Sequence, residues 1–182
     1  YTPKESGDEP YLHAISLKCP IVVAKERYKA VEYCKERFQS EIVIMDDGFQ
    51  HIQLERDWNI VLIDATNPFG EKKLLPEGKL REPLSGLDRA NEFIITKSDM
   101  VTPEKLENIV RELKSENKKI SKAVHFPEKI LQCGKFIEKE CVMYKKALLF
   151  SGIANPKNFR KSVDSLGIEI AGEISYRDHY DF

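Results

Sequence analysis

IVIMDDGFQH, Ile42 to His51, is the stretch whose reading decides the fold. Ile42, Val43, Ile44 and Met45 run without polar alternation, the pattern of a parallel strand covered on both faces. That strand is expected to end at Asp46 and Asp47. In open α/β sheets ligands bind at the C-terminal edge, where a carboxylate can hold Mg2+ over a nucleotide's phosphates, directly or through water. Gly48 allows a sharp turn or a close backbone approach to a ligand. The plainer alternative is a strand that simply ends in an Asp-Gly turn.

The same alternation of elements extends on both sides. Ile21 to Lys25 reads as a short strand, followed by a helix near Glu26 to Phe38 with Val31, Cys34 and Phe38 on one face. Asn59 to Ala65, NIVLIDA, reads as a second buried strand that ends at Asp64. A long Pro/Gly-punctuated loop follows from Thr66 to Leu87, and Glu92 to Thr96 is a further strand. Thr102 is placed to N-cap a helix with Pro103 at its first position and Leu106, Ile109, Val110 and Leu113 as its apolar stripe. Helices between three or more apolar strands imply an α/β fold with a doubly wound parallel sheet.

Past a strand around Lys119 to Phe126 the composition changes. Residues 1–128 are expected to form one domain core. Residues 129–146, charged and irregular, read as a connector with a short strand pair. Residues 147–182 open a smaller second α/β domain: Ala147 to Phe150 is a strand, and Asn155-Pro156 caps a helix bearing Phe159, Val163 and Leu166 that Gly167 ends.

Bulk properties exclude several classes. Lys+Arg number 29 against Asp+Glu 30 in 182 residues, a formal net charge of -1. No basic field exists to displace counterions from nucleic acid. The four cysteines, Cys19, Cys34, Cys133 and Cys141, form no C-x-x-C pair and read as free thiols of a reducing compartment. No apolar run approaches the ~20 residues of a membrane span.

Four other constellations carry chemistry. Gly7-Asp8-Glu9-Pro10 places two acids where they activate a hydroxyl or hold a metal, or else merely lead into a helix. In the long loop, Arg81 of Leu80-Arg81-Glu82-Pro83 is the natural anion ligand, because a guanidinium grips phosphate at two points. Its alternative is a surface salt bridge to Glu82 or a neighbour. Thr96-Lys97-Ser98-Asp99 imitates the guanine-reading signature of G proteins. The companion Asp of those proteins stands before a glycine with two residues between them, and that place before Gly48 is held by Met45 here, so a helix start is preferred. Arg177-Asp178-His179-Tyr180 sets a histidine beside an acid, a proton-acceptor pattern or a structural one.

Taken in order, GDEP at Gly7 to Pro10, DDGFQH at Asp46 to His51, RD at Arg56-Asp57, NIVLIDA, LLPEGKLREPLSGL at Leu74 to Leu87, GIANPKNF at Gly152 to Phe159 and RDHYDF at Arg177 to Phe182 resemble the tetraacyldisaccharide 4'-kinases of the lipid A pathway. The resemblance spans nearly the whole chain. It implies a P-loop NTPase-like fold with a smaller second domain, and transfer of the γ-phosphate of ATP to the 4'-hydroxyl of a tetraacyldisaccharide 1-phosphate at the cytoplasmic face of the inner membrane. By matching motif, Asp8 would be the base and His179 would assist it. Asp46 and Asp47, with Glu9 a further candidate, would serve Mg2+. Gln50 and His51 would line the site, and Arg81 would contact phosphate.

One departure stands out. No G-x-x-x-x-G-K-[ST] occurs in these residues, although a P-loop kinase uses that loop to cradle ATP. The family carries it upstream of GDEP, so the expectation is an internal piece of a longer protein, inactive by itself. Two other classes stay open: a metal-dependent hydrolase with Asp46, Asp47 and His51 as ligands, and a non-catalytic nucleotide- or lipid-binding module. Phe69, Leu74, Leu75 and Leu80 interleave with Lys72, Lys73 and Lys79, a mixture suited to acyl chains and anionic headgroups, or to ordinary packing on the sheet.

Overall fold

The computed structural model describes residues 2–113, 118–178 and 180. They separate into two compact units, 1–61 with 70–92, and 62–69 with 93–182. Helices α1 (Pro3–Ser6), α2 (Asp8–Ser16) and α3 (Arg27–Phe38) precede strand β1 (Ile60–Asp64). Then follow β2 (Glu92–Thr96), α4 (Pro103–Glu112) and β3 (Lys119–Lys122). A short pair, β4 (Ile130–Gln132) and β5 (Lys135–Ile137), leads to β6 (Lys146–Ser151), α5 (Pro156–Asp164) and β7 (Glu169–Ser175).

The first sheet has the order β1-β2-β3. Its strands β1 and β2 run parallel. The Glu92 N–H donates to the Asn59 carbonyl where they begin, and the Ala65 N–H to the Thr96 carbonyl where they end. The central strand, EFIIT, is the most deeply buried of the three, and its Phe93 and Ile95 have no solvent exposure. Each such side chain contributes about 1.5–3 kcal/mol of burial. Ile63, Ala65, Ile109 and Leu113 complete that core.

Helix α4 forms for local reasons. The Thr102 hydroxyl accepts from the Lys105 N–H at 3.3 Å, Pro103 needs no donor at the first position, and Ile109 and Leu113 fall on one face four residues apart. The α5 start repeats the device, with the Asn155 side chain accepting from the Asn158 N–H at 3.2 Å. Strands β6 and β7 are parallel and joined through α5, where Leu149 and Val163 are buried. Strands β4 and β5 form an antiparallel hairpin within 129–146.

Two expected strands are absent. Ile42 to Met45 and Ile21 to Lys25 lie outside any strand. Ile42 is 80% and Ile44 91% exposed, the reverse of a strand covered on both faces. An apolar run becomes a strand only when a neighbour satisfies its N–H and C=O groups, and no described strand pairs with either segment. The long loop is partly ordered. Leu74 bridges to Leu80, Gly70–Lys72 and Leu84–Arg89 are 3-10 turns, and Phe69 is buried while Leu75 is exposed. No helix among the described residues is long and apolar enough to cross a membrane.

Candidate active site

The acid pair lies in a tight turn held from several sides. Asp47 takes a left-handed backbone, φ 46°, a region that aspartate tolerates better than most side chains. Gly48 is buried under Met45. A Cβ at residue 48 would lie 2.6 Å from Met45 Cε and 2.7 Å from its Cγ, so with Met45 in this position the turn admits only glycine. The His51 N–H donates to the Gly48 carbonyl at 3.0 Å, and Arg56 of the Arg56-Asp57 motif donates to the same oxygen. The His51 side chain itself is exposed.

The LREP segment closes on this turn through side chains. Arg81 Nη1 donates to Asp47 Oδ1 at 2.8 Å and Oδ2 at 2.7 Å. A surface salt bridge, the alternative to an anion-binding role, is thus formed, with Asp47 and not Glu82 as its partner. Glu82 instead accepts from Gln50 Nε2 at 2.9 Å and from Arg89 Nη2 at 2.6 Å. Arg89 also lies over the Phe49 ring, 4.6 Å from its centre, and donates to the Phe49 carbonyl at 3.5 Å. Gly86 is buried beneath this pair. A Cβ there would collide with the Glu82 carboxylate, 2.8 Å from its Cδ.

The electrostatics follow from these contacts. Burial pushes the Glu82 carboxyl up, but the bonds from Arg89 and Gln50 outweigh it and hold the group below the usual carboxylate range. The bond to Asp47 pushes the Arg81 guanidinium up.

GDEP forms the start of α2. Gly7 sits at its N-cap with φ 90°, a conformation suited to glycine, and Asp8 and Glu9 occupy the first turn where the helix dipole favours negative charge. One and a half turns on, His13 Nε2 lies 3.7 Å from Asp46 Oδ2. That contact brings the GDEP helix up to the acid pair. Asp46, Asp47, Gln50 and Arg81 therefore form one cluster, with Asp8 and Glu9 on the helix that touches it. His179 lies outside the described residues.

The donor set suits Mg2+. Asp46 and Asp47 present hard carboxylate oxygens on an exposed turn, and Mg2+ typically takes one or two carboxylates together with phosphates and water. Among the described residues no three His, Cys, Asp or Glu side chains gather as an all-protein metal cage, so the hydrolase arrangement with Asp46, Asp47 and His51 is not assembled.

The TKSD segment does different work. Lys97, with φ 54°, pairs through Nζ with Asp64 at the end of β1, whose carboxylate also accepts from the Thr66 hydroxyl at 2.6 Å. Ser98–Met100 is a 3-10 turn leading towards α4, in line with the helix-start reading. The residues that sequence reasoning missed are Arg89, which it never singled out, and Arg56 and Glu82, whose roles it did not assign. The only available signals were the Arg56-Asp57 motif and the seven-residue spacing of Glu82 and Arg89 around Gly86.

Comparison with known proteins bears on this arrangement. The sequence profile of the family described as Tetraacyldisaccharide-1-P 4'-kinase matches residues 1–182. The Tetraacyldisaccharide 4'-kinase of Elusimicrobium minutum (strain Pei191) is 40% identical over 180 residues, covering 96% of this chain and 48% of the relative. That of Halothermothrix orenii is 35% identical over 195 residues, covering 98% of this chain and 50% of the relative. The crystal structure of an "apo" form of LpxK from Aquifex aeolicus in complex with ATP superposes with a TM-score of 0.71 at 32% identity, over 100% of this chain and 56% of that one. The chain thus spans about half the length of the curated relatives it matches.

Proposed function

The chain belongs to the tetraacyldisaccharide-1-phosphate 4'-kinase family, and from that premise we propose that it forms part of a kinase that moves the γ-phosphate of ATP to the 4'-hydroxyl of a tetraacyldisaccharide 1-phosphate. The observation that carries this reading is the cluster of an acid pair and an arginine, Asp46, Asp47 and Arg81, beside the helix that starts at Asp8. Phosphoryl transfer asks mainly for positioning and for neutralisation of charge, and these side chains are of the types that do both. The likeness to the ATP-complexed LpxK structure supports ATP as the donor.

Asp8 takes the proton from the 4'-hydroxyl, and His179 assists it. The hydroxyl oxygen forms the new bond to the γ-phosphorus as the bond to the bridging oxygen breaks and ADP leaves. Asp46 and Asp47, with Glu9 as a further candidate, would hold Mg2+, which when bound neutralises phosphate charge. Gln50 and His51 line the site. Arg81 contacts phosphate on substrate or nucleotide, a role its exposed position leaves open to it. The lipid substrate places the enzyme in peripheral contact with the cytoplasmic face of the inner membrane, where exposed Leu74 and Leu75 beside Lys72 and Lys73 suit acyl chains and anionic headgroups. Within the chain, 1–128 serves as kinase core, 129–146 as connector and 147–182 as the start of a smaller domain.

The test is Asp8→Asn in the full-length enzyme, assayed by transfer of labelled phosphate to the disaccharide. Loss of a positioned base costs roughly 100-fold or more in kcat. A near-normal rate would remove Asp8 from the role.

A further inference from the structure

The acid pair has an unusual mechanical support. Two adjacent carboxylates repel each other, and Asp47 holds a left-handed backbone that few side chains favour. A turn of that kind persists only where its surroundings over-determine it. Here two arginines grip the peptide units directly after the pair, Arg56 at the Gly48 carbonyl and Arg89 at the Phe49 carbonyl and ring. The Nε atoms of both are buried without a hydrogen-bond partner among the described residues, so each guanidinium is held through one outer nitrogen, Nη1 of Arg56 and Nη2 of Arg89, at the cost of its inner one.

We propose that Glu82 and Arg89 are positioning residues of the kinase: a latch that ties the loop after the acid pair to the LREP segment and so fixes Asp46 and Asp47 where a Mg2+–nucleotide complex needs them. The proposal rests on the kinase reading above. Arg89 links three parts of the cluster. It holds the Glu82 carboxylate at 2.6 Å, the same carboxylate accepts from Gln50 at 2.9 Å, and the Arg89 guanidinium lies over the Phe49 ring. Glu82 directly follows Arg81, which holds Asp47. The turn is thereby clamped at residue 47 by Arg81, at residue 49 by Arg89 and at residue 50 by Glu82.

Stability alone is a poor account of this arrangement. Partly exposed ion pairs stabilise little, and a hydrocarbon pair would fill the same space. What an ion pair with a planar guanidinium adds is direction, since it fixes angle as well as distance. A phosphoryl-transfer site demands that property, because a displacement of about 1 Å at the reacting groups can cost about 100-fold in rate. Gly86 reinforces the reading. Any side chain there would push the Glu82 carboxylate out of line.

The experiment uses the full-length kinase with Arg89→Met, Arg89→Lys and Glu82→Gln. Three quantities are read: Mn2+ affinity by electron paramagnetic resonance with a non-hydrolysable ATP analogue present, kcat against KM for the lipid, and the thermal midpoint. Loss of an outer partner of metal ligands typically weakens metal binding or activity by about 10–100-fold. Arg89→Met is expected to weaken Mn2+ binding about 10-fold and lower kcat at least as much, with lipid KM within about twofold. Arg89→Lys keeps the charge but not the planar guanidinium whose Nη2 serves both the Glu82 carboxylate and the Phe49 carbonyl, and its losses fall between those of wild type and Arg89→Met. Glu82→Gln keeps the shape and shows a smaller loss in the same direction. Unchanged Mn2+ affinity in folded Arg89→Met and Glu82→Gln overturns the latch whatever happens to kcat. If Arg89→Met does not fold, Glu82→Gln decides alone. A wild-type enzyme that binds Mn2+ and nucleotide but does not phosphorylate the lipid would sink the kinase reading instead, and the Mn2+ comparison would still report on the latch.

Discussion

Arg81 donates from one nitrogen to both carboxylate oxygens of Asp47, at 2.8 and 2.7 Å. The residue proposed to meet phosphate and a residue proposed to meet Mg2+ thus neutralise each other. Arrival of a metal and a phosphate offers each a replacement of the same sign as the partner it loses, so the exchange needs no uncompensated charge at any point. An exposed pair of this kind contributes only about 0–1 kcal/mol, which makes the exchange inexpensive. Arg81→Ala is therefore expected to leave the thermal midpoint of the full-length enzyme nearly unchanged while kcat falls by about 100-fold or more, the size of effect seen when an electrostatic partner of the transition state is removed. Arg81→Lys should recover part of the rate. A large drop in midpoint with normal kcat would reduce Arg81 to a structural role.

Gly48 gives a sharper structural prediction. A methyl group at that position meets both the Cγ and the Cε of Met45, so relief requires the Met45 side chain to leave its χ1 rotamer and not merely to swing its Cε end aside. Gly48→Ala should therefore destabilise by about 1–3 kcal/mol, the usual cost of overpacking, and displace the acid pair enough to lower kcat. The companion variant Met45→Ala removes both contacts. In the double variant the unfolding midpoint should recover most of the loss, and failure to recover would mean that the Met45 contacts are not what excludes a side chain.

How much of this was legible in the sequence depends on the range of the interactions. Thr102-Pro103 and Asn155-Pro156 start helices through contacts three residues long, and both starts are where local reading placed them. The Glu92–Thr96 strand was likewise legible, because a run buried on both faces shows its apolarity directly. Ile42 to Met45 looks the same by composition. Its partner, however, would have to come from elsewhere, and hydrophobicity reports a preference for burial without naming what supplies it. The candidate site divides the same way. The residue types of DDGFQH and LREP signalled anions and metals, but the Asp47–Arg81 bond spans 34 positions and the Arg89–Phe49 contact 40. No periodicity carries such information, and nothing local singled out Arg89.

Asp64 predicts a pH dependence. Burial raises its carboxyl, yet the bonds from Lys97 and from the Thr66 hydroxyl and N–H outweigh that and hold it below the ordinary range. A carboxyl depressed in the folded state binds its proton more readily when unfolded. Its stabilising contribution is thus complete above the unfolded value of about pH 4 and is lost as pH falls through the lower folded one. Lys97 is only 16% exposed, so removing the carboxylate also strands a cation. Asp64→Asn should lower stability at pH 7 by about 1 kcal/mol, the figure for a charge-assisted bond discounted because Asp64 is partly exposed. The gap between wild type and variant should narrow as the pH is taken from about 5 to 3, because acid removes from the wild type what the substitution has already removed. Unfolding midpoints of both proteins across that range measure it. A gap that stays constant with pH would mean that the Asp64 charge contributes nothing and that the variant acts only through packing.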